Sequence, residues 1–212
     1  MKNYVTEFIG TFFLVLTIGL TVLGGTEFAP LAIGAALMVM VYMGGHISGA
    51  HYNPAVTLAV FMRGKIDAGS VAPYMASQLA GAFLATVIVQ LILGSTFAPA
   101  PSAEATIAAA LLVEVLYTFA LALVILNVST ADSTSGNSFY GLAIGFTVAA
   151  GAFAGGPVSG GAFNPAVGTG PILAHALLGG GGLGDLWLYL VGPFVGGALA
   201  ATVFKIQHSE SS

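Results

Sequence analysis

Two stretches decide how this chain is read: SGGAFNPAVGTGP at 159–171 and SGAHYNPAVTLAV at 48–60. Each sets Ser-Gly a few residues ahead of Asn-Pro-Ala-Val. Proline is tolerated at the first position of a helix, where its missing N–H costs no intrahelical bond. Asparagine is a preferred N-cap, because its side-chain oxygen accepts from the orphan N–H groups of the first turn. Asn53-Pro54-Ala55 and Asn164-Pro165-Ala166 are therefore read as two helix starts. The apolar pieces they belong to, 51–62 and 164–178, are too short to cross a bilayer and read as half-membrane helices. The Gly-rich residues ahead of each start form irregular backbone. At membrane depth such backbone is tolerated only when packed in protein or lining a water-filled cavity.

The composition demands a membrane. Hydrophobic residues make up 57% of the 212-residue chain and charged residues 6%, with a mean hydropathy of +0.98. Four Lys/Arg and eight Asp/Glu cannot coat a soluble fold of this size. Six spans of bilayer length are expected near 4–24, 29–45, 70–94, 104–127, 138–156 and 186–206. Polar connections fall near 25–28, 63–70, 95–103 and 129–137, with STADSTSGNS the clearest loop and GGGGLGD at 179–185 another. The first apolar run, Phe8 to Gly25, is long enough to span and carries no clear cleavage site. Lys2, Arg63, Lys65 and Lys205 all fall on one side of this six-span arrangement, which puts that side and both termini in the cytoplasm. Glu27, Glu104 and Asp185 fall on the other side. The chain has no Cys, which rules out disulfides and thiolate metal sites. The net charge of −4 without a basic cluster makes nucleic acid an unexpected partner.

The two halves are copies. LAIG at 31–34 matches LAIG at 142–145, Gly44-Gly45 matches Gly155-Gly156, and Ser48-Gly49 matches Ser159-Gly160, all at an offset of 111 residues. At a slightly different offset Glu7, Thr11 and Phe12 match Glu114, Thr118 and Phe119, and GAFLATV at 81–87 echoes GGALAATV at 196–203. Each half thus holds three spans and one half helix. An odd number of crossings turns the second copy upside down, and the site of such an inverted repeat lies at the midplane where the broken helices meet. The expected fold class is an all-α membrane protein of six transmembrane helices plus two re-entrant half helices. It forms one channel domain over 1–206, with repeats of about 1–94 and 104–206 and a disordered tail at 207–212.

Two half-helix N-termini facing each other carry roughly half an elementary charge apiece in effect. In a low dielectric that zone repels cations, hydronium included, and leaves neutral molecules alone. The capping asparagines keep their NH2 groups to donate to a passing molecule, and the SGAH and SGGAF segments offer a ladder of carbonyl acceptors. Donors at the centre and carbonyls along one wall suit water or another small polar neutral.

The motifs GHISGAHYNPAV at 45–56, SGGAFNPA at 159–166 and VGPFVGGALA at 191–200, with Glu7 and Glu114 in the first span of each half, resemble the aquaporin and glycerol-facilitator family over about residues 1–206. The resemblance implies a homotetramer in the plasma membrane, each subunit with its own passive pore. It implies that Asn53 and Asn164 are the central donors, and that the carbonyls of Gly49, Ala50 and His51 line the cytoplasmic side and those of Gly160, Gly161 and Ala162 the outer side. Motif by motif, it places a four-residue outer filter at Ile33, Ala152, Gly161 and Val167. The chain departs from the pattern there. Most members carry Arg after the second Asn-Pro-Ala, where this chain has Val167; water-selective members pair it with His and Phe, where this chain has Ala152 and Ile33. Glycerol-conducting members tend to follow the Arg with Asp, here Gly168. In the sixth span Tyr189 is water-channel-like and Leu190 glycerol-channel-like. A filter wider and more apolar than usual, without its fixed positive charge, is expected. Phe163 and Tyr189 are the other bulky side chains able to close it.

The remaining polar residues divide into support and solvated surface. Ionisable groups inside a span are expensive and serve a site or a buried network. Glu7 and Glu114 are read as loop supports whose carboxylates accept N–H bonds from the re-entrant segments; a proton relay is disfavoured because no chain of acidic or His residues continues it. His51 is either a pore-facing or a packed group, and the resemblance favours pore-facing; His46 is read as a packing or loop residue. His175 and His208 are read as exposed, Gln78 as satisfying buried backbone, and Asp132 as part of a solvated loop. No His pair stands at metal-ligand spacing with a carboxylate, and no cofactor is expected. An enzyme is not expected, for want of Cys, a Ser/His/Asp arrangement or a metal cluster. The remaining competitor to a passive channel is a coupled secondary transporter, which needs intramembrane groups to bind a driving ion; only the two carboxylates are on offer.

Overall fold

The structure, a computed structural model, describes residues 1–208. Among them are eight α-helices: α1 Lys2–Leu23, α2 Ala29–Ser48, α3 Pro54–Met62, α4 Ala68–Leu93, α5 Ile107–Thr130, α6 Tyr140–Ser159, α7 Pro165–Leu178 and α8 Leu186–Gln207. All but α3 and α7 are long and apolar enough to cross a membrane. The two short helices start where the asparagines predict. Asn53 and Asn164 are N-caps with extended backbone. Asn53 Oδ1 accepts from the amides of Ala55 at 2.9 Å and Val56 at 3.4 Å, and Asn164 Oδ1 from that of Ala166 at 2.9 Å.

Some boundaries differ from expectation. The second and fifth spans run on to Ser48 and Ser159, through the glycine pairs that made 45 and 156 look like ends. Gly44 makes room for the Tyr52 hydroxyl, which occupies the space a side chain would need, so this glycine serves packing and does not end the helix. Both helices stop at the serine, because the next residue, Gly49 or Gly160, turns left-handed at φ 86°, a conformation only glycine adopts without strain. The fourth span starts at Ile107, capped by Thr106 Oγ1 accepting from the Ala109 amide at 3.1 Å. Of the tail expected to be disordered, Gln207 closes α8, and His208 stacks on Phe204 with ring centroids 4.2 Å apart; 209–212 lie outside the described residues. The polar connection at 95–103 is not simply solvated. Phe97 is buried, and the Ser102 amide donates to Val158 O at 3.0 Å.

Packing repeats from one half to the other. Helix α1 packs on α2 and α4 as α5 packs on α6 and α8; α2 crosses α6; and the half helices are exchanged, α3 lying on α8 and α7 on α4. The α2–α6 crossing is self-complementary: a side chain at Gly34 would lie 2.5 Å from Gly145 O, and one at Gly145 2.4 Å from Gly34 O. Small residues let membrane helices approach this closely. Outward, the surface is aliphatic and aromatic, with Leu91, Leu112, Phe146 and Leu177 exposed.

The α5–α8 contact makes a checkable demand. A Cβ at Gly196 would sit 2.4 Å from Val115 O and 2.8 Å from Phe119 N, backbone atoms that cannot swing aside. At Gly69, also helical, a Cβ meets open space. Gly196→Ala is expected to lower the thermal midpoint in detergent, followed by circular dichroism. Gly69→Ala is expected to hold or raise it, since alanine gains up to about 1 kcal/mol over glycine in a helix. Equal midpoints for the two variants would contradict this packing.

Candidate functional site

The segments between helix end and half helix, 49–53 and 160–164, are built alike. Ala50, Tyr52 and Phe163 have φ near +50° and Gly161 has φ 65°, a region that costs a non-glycine residue about 1–3 kcal/mol and persists only when surroundings impose it. The imposing groups are the two buried glutamates. Glu7 Oε1 accepts from the His51 amide at 3.0 Å and Ser48 Oγ at 2.6 Å; its Oε2 accepts from the Tyr52 amide at 2.7 Å and Gln78 Nε2 at 2.8 Å. Glu114 repeats this with the Ala162 amide at 3.0 Å, Ser159 Oγ at 2.7 Å and the Phe163 amide at 2.7 Å. Each serine also accepts an amide, Ala50 N or Gly161 N, at 3.1 Å. Gln78 thus serves a carboxylate rather than backbone, contrary to expectation.

With the amides turned towards the glutamates, the carbonyls turn away from them. Ser48 O takes the Tyr74 hydroxyl at 2.9 Å and Ser159 O that of Tyr189. Tyr52 O takes Asn164 Nδ2 and Phe163 O takes Asn53 Nδ2, both at 2.9 Å. Each asparagine therefore spends one of its two N–H groups on the opposite half, so the expectation that the whole NH2 is free is corrected to one N–H. Between these paired carbonyls lie those of Gly49, Ala50 and His51 and of Gly160, Gly161 and Ala162. Among the described residues no protein group donates to any of the six.

Two cavities run along these segments. One, of about 420 Å³, is lined by Asn53, Asn164, Ile33, Ala152, Gly161 and Val167 and reaches Phe97–Ala100 at its mouth. The other, of about 770 Å³, is lined by Gly49, Lys65, Asp132 and Asn137 among others. All four expected filter positions thus line a single cavity, and none of their side chains is polar. Phe163 and Tyr189 line neither cavity; Phe163 packs on Tyr117 at 5.2 Å between ring centroids. His51 touches both cavities. His46 is exposed in the last turn of α2 on the second cavity, not in a loop or core. His175 is half-buried, with Nδ1 2.6 Å from Thr96 Oγ1, and His208 is exposed. Sequence reasoning missed the Phe97–Ala100 segment, the carbonyl-binding role of the Tyr74 and Tyr189 hydroxyls, and Thr57. The Phe97–Ala100 segment looked like a plain connection. Tyr74 and Tyr189 were legible as a pair, because they are 115 residues apart, as are Gly81 and Gly196. Thr57 had no repeat signal at all.

The chain also matches known proteins along its length. The family model "Major intrinsic protein" matches residues 1–204. The chain belongs to the major intrinsic protein family. Aquaporin NIP1-4 of Oryza sativa subsp. japonica is 37% identical over 216 residues, 97% of this chain and 77% of that protein. Glycerol uptake facilitator protein-like 6 of Lactiplantibacillus plantarum is 37% identical over 223 residues, 99% of this chain and 100% of that protein. The X-ray structure of the aquaglyceroporin from Plasmodium falciparum superposes with a TM-score of 0.83 at 23% identity, covering 96% of this chain and 94% of that one. This member of the major intrinsic protein family is thus an integral membrane protein with the aquaporin fold. It is a passive channel of the class that carries water and small neutral solutes, not an enzyme.

In this family member the glutamates differ in load. Glu7 has two donors on each oxygen, whereas Glu114 Oε2 has the single donor Phe163 N. Glutamine replaces one acceptor oxygen by a donor group, which at Glu7 must confront two donors and at Glu114 only one. Glu7→Gln is expected to lower the thermal midpoint more than Glu114→Gln, by about 1–3 kcal/mol in stability for the additional unmade bond. Matched melting curves would test this; a larger loss for Glu114→Gln would refute the unequal loading.

Proposed function

We propose that the pore conducts water together with neutral solutes wider than water, glycerol and urea foremost. The filter is Ile33, Ala152, Gly161 and Val167, and the central donors are the remaining N–H groups of Asn53 and Asn164. The reading rests on one observation: six carbonyls lack protein donors among the described residues, and five of the six residues, Ala50, His51, Gly160, Gly161 and Ala162, line the first cavity, whose wall is otherwise largely aliphatic. At membrane depth a carbonyl without a protein partner is satisfied only by water or a solute in the space it faces, so these groups call for a mobile donor. A solute with O–H or N–H groups along one edge and carbon along the other meets both walls. At the centre the asparagines donate to its oxygen while the α3 and α7 N-termini, in contact, disfavour positive charge. A water molecule or polyol passes by exchanging one carbonyl for the next, and a cation finds no compensating charge.

Val167 sets the breadth of the reading. An arginine there would bring five donors and a permanent charge; valine brings neither and leaves room beside Ala152 and Gly161. A relative named for glycerol uptake agrees with solutes of that width. The clustering of Lys2, Arg63, Lys65 and Lys205 supports a cytoplasmic location for that end and for both termini, and the family resemblance supports a homotetramer in the plasma membrane.

The decisive experiment is a paired stopped-flow measurement on proteoliposomes of matched protein content. Wild type is expected to pass glycerol or urea as well as water, at rates indifferent to sodium or pH gradients. Val167→Arg is expected to reduce solute permeability several-fold more than water permeability. A wild type that rejects every solute larger than water defeats the wide-filter reading, and a flux that follows an ion gradient defeats the passive one.

A further inference from the structure

The two cavities share part of their walls. The cavity holding the four filter positions and both asparagines and the cavity holding Lys65, Asp132 and Asn137 have only His51 and Ile125 in common. We infer that this His51–Ile125 waist, rather than the quartet around Val167, sets the size limit for solutes, and that Glu7, Gln78 and Thr57 position the His51 ring within it. The inference rests on the conducting pore proposed above and locates its bottleneck.

The geometry favours the waist in two ways. First, the Val167 quartet does not divide the space it lines. One cavity runs from Val22 and Phe97 at the mouth, past Ile33, Ala152, Gly161 and Val167, to the asparagines and on to Ile125. Second, the waist is stiff. Ile125 is buried on α5 and β-branched, with restricted χ1. His51 is held by its amide on Glu7, by Nδ1 3.1 Å from Thr57 Oγ1, and by the Tyr74 ring at 5.1 Å between centroids. Its Nε2 has no protein partner among the described residues and is not sealed from the cavity. The waist therefore offers one hydrogen-bonding nitrogen opposite an aliphatic wall.

A chain of side chains sets the ring. A carboxylate only accepts, so Gln78 must turn its NH2 towards Glu7 Oε2, and the same nitrogen donates to Thr57 Oγ1 at 3.0 Å. The amide keeps this direction although its own Oε1 is buried without a partner. Thr57, fixed from that side and 3.1 Å from Asn53 O, presents its oxygen to His51 Nδ1. Whichever of Thr57 and His51 supplies the proton, Nδ1 is engaged and Nε2 is left for the lumen.

The second half of the molecule is an internal control. Its residues equivalent to His51, Thr57 and Gln78 are Ala162, Gly168 and Pro193, at the offsets of 111 and 115 that relate the repeats. Glu114 nevertheless holds its loop through the same amides as Glu7 does. Holding a re-entrant loop thus does not require the Gln78–Thr57–His51 chain, and its presence in one half only assigns it to the ring at the waist.

The test uses the reconstituted full chain and a polyol series, glycerol, erythritol and xylitol, each permeability expressed relative to water. Ile125→Ala is expected to raise the erythritol-to-water ratio roughly tenfold, the effect of removing a few methyl groups from an apolar contact. Val167→Ala is expected to raise it by less than half as much. A rise with Val167→Ala equal to or above that with Ile125→Ala overturns the inference. For the positioning residue, Thr57→Val is expected to shift the glycerol-to-water ratio by at least about threefold, with Thr57→Ser restoring the wild-type ratio. Should Thr57→Val not assemble, Thr57→Ala replaces it. A wild-type ratio in the folded Thr57 variant overturns the relay. A wild type conducting neither water nor glycerol above protein-free vesicles sinks the conducting reading itself, whereas a conducting wild type with the wrong variant pattern sinks only the waist.

Discussion

Glu7 and Glu114 each take up the amide hydrogens that their re-entrant segment would otherwise leave bare in hydrocarbon. Everything distinctive about the molecule follows from that pairing. A chain that stops being helical inside a membrane must satisfy its backbone within the protein, because no water is at hand. One buried carboxylate satisfies two adjacent amides and, through Ser48 or Ser159, a third. The desolvated charge is thereby compensated by several hydrogen bonds, the condition under which buried ionised groups are tolerated. The left-handed residues that reverse the chain are imposed by the same bonds. With donors committed on one side of the segment, the carbonyls of Gly49, Ala50, His51, Gly160, Gly161 and Ala162 are left without protein donors among the described residues.

The reciprocal bonds of Asn53 to Phe163 O and Asn164 to Tyr52 O carry this arrangement across the centre. Each asparagine caps its own half helix and ties down the opposite segment. The N-termini of α3 and α7 are thus held close together, where the positive ends of their opposed dipoles reinforce one another. Because each amide has a second N–H, fixing the centre and contacting a solute are compatible tasks. The Gly34–Gly145 crossing adds a third symmetric contact, at which bulk on either helix would push the halves apart.

Symmetry in the scaffold makes the asymmetries informative. The amide cradle, serine pivot, tyrosine lock and asparagine cap occur twice, so they belong to the fold. His51, Thr57 and Gln78 occur once, as does the Phe97–Ala100 segment that lines the first cavity. Valine follows both Asn-Pro-Ala motifs, at 56 and 167, so the two half helices begin alike.

Much of this was legible in the residues. The paired Ser-Gly…Asn-Pro-Ala motifs fall at fixed offsets, and cap and proline chemistry are local, so helix starts, half-helix lengths and the inverted repeat could be read without coordinates. Glu7 and Glu114 were legible as supports because an ionisable residue inside an apolar span has few affordable roles. Where α2 and α6 end was not legible, because a glycine pair can break a helix or make room for a neighbour; here Gly44 makes room for Tyr52 and Gly155 for Val113, Tyr117 and Phe163. Nor could sequence divide the asparagine amides between neighbour and lumen, or join Gln78 and Thr57 to His51, since those bonds link residues 6 to 112 positions apart. Pattern along the chain determines which backbone groups will be unsatisfied. Which side chain from a distant span reaches them is decided by packing, because a hydrogen bond depends on distances of a few tenths of an ångström that only the assembled helices set.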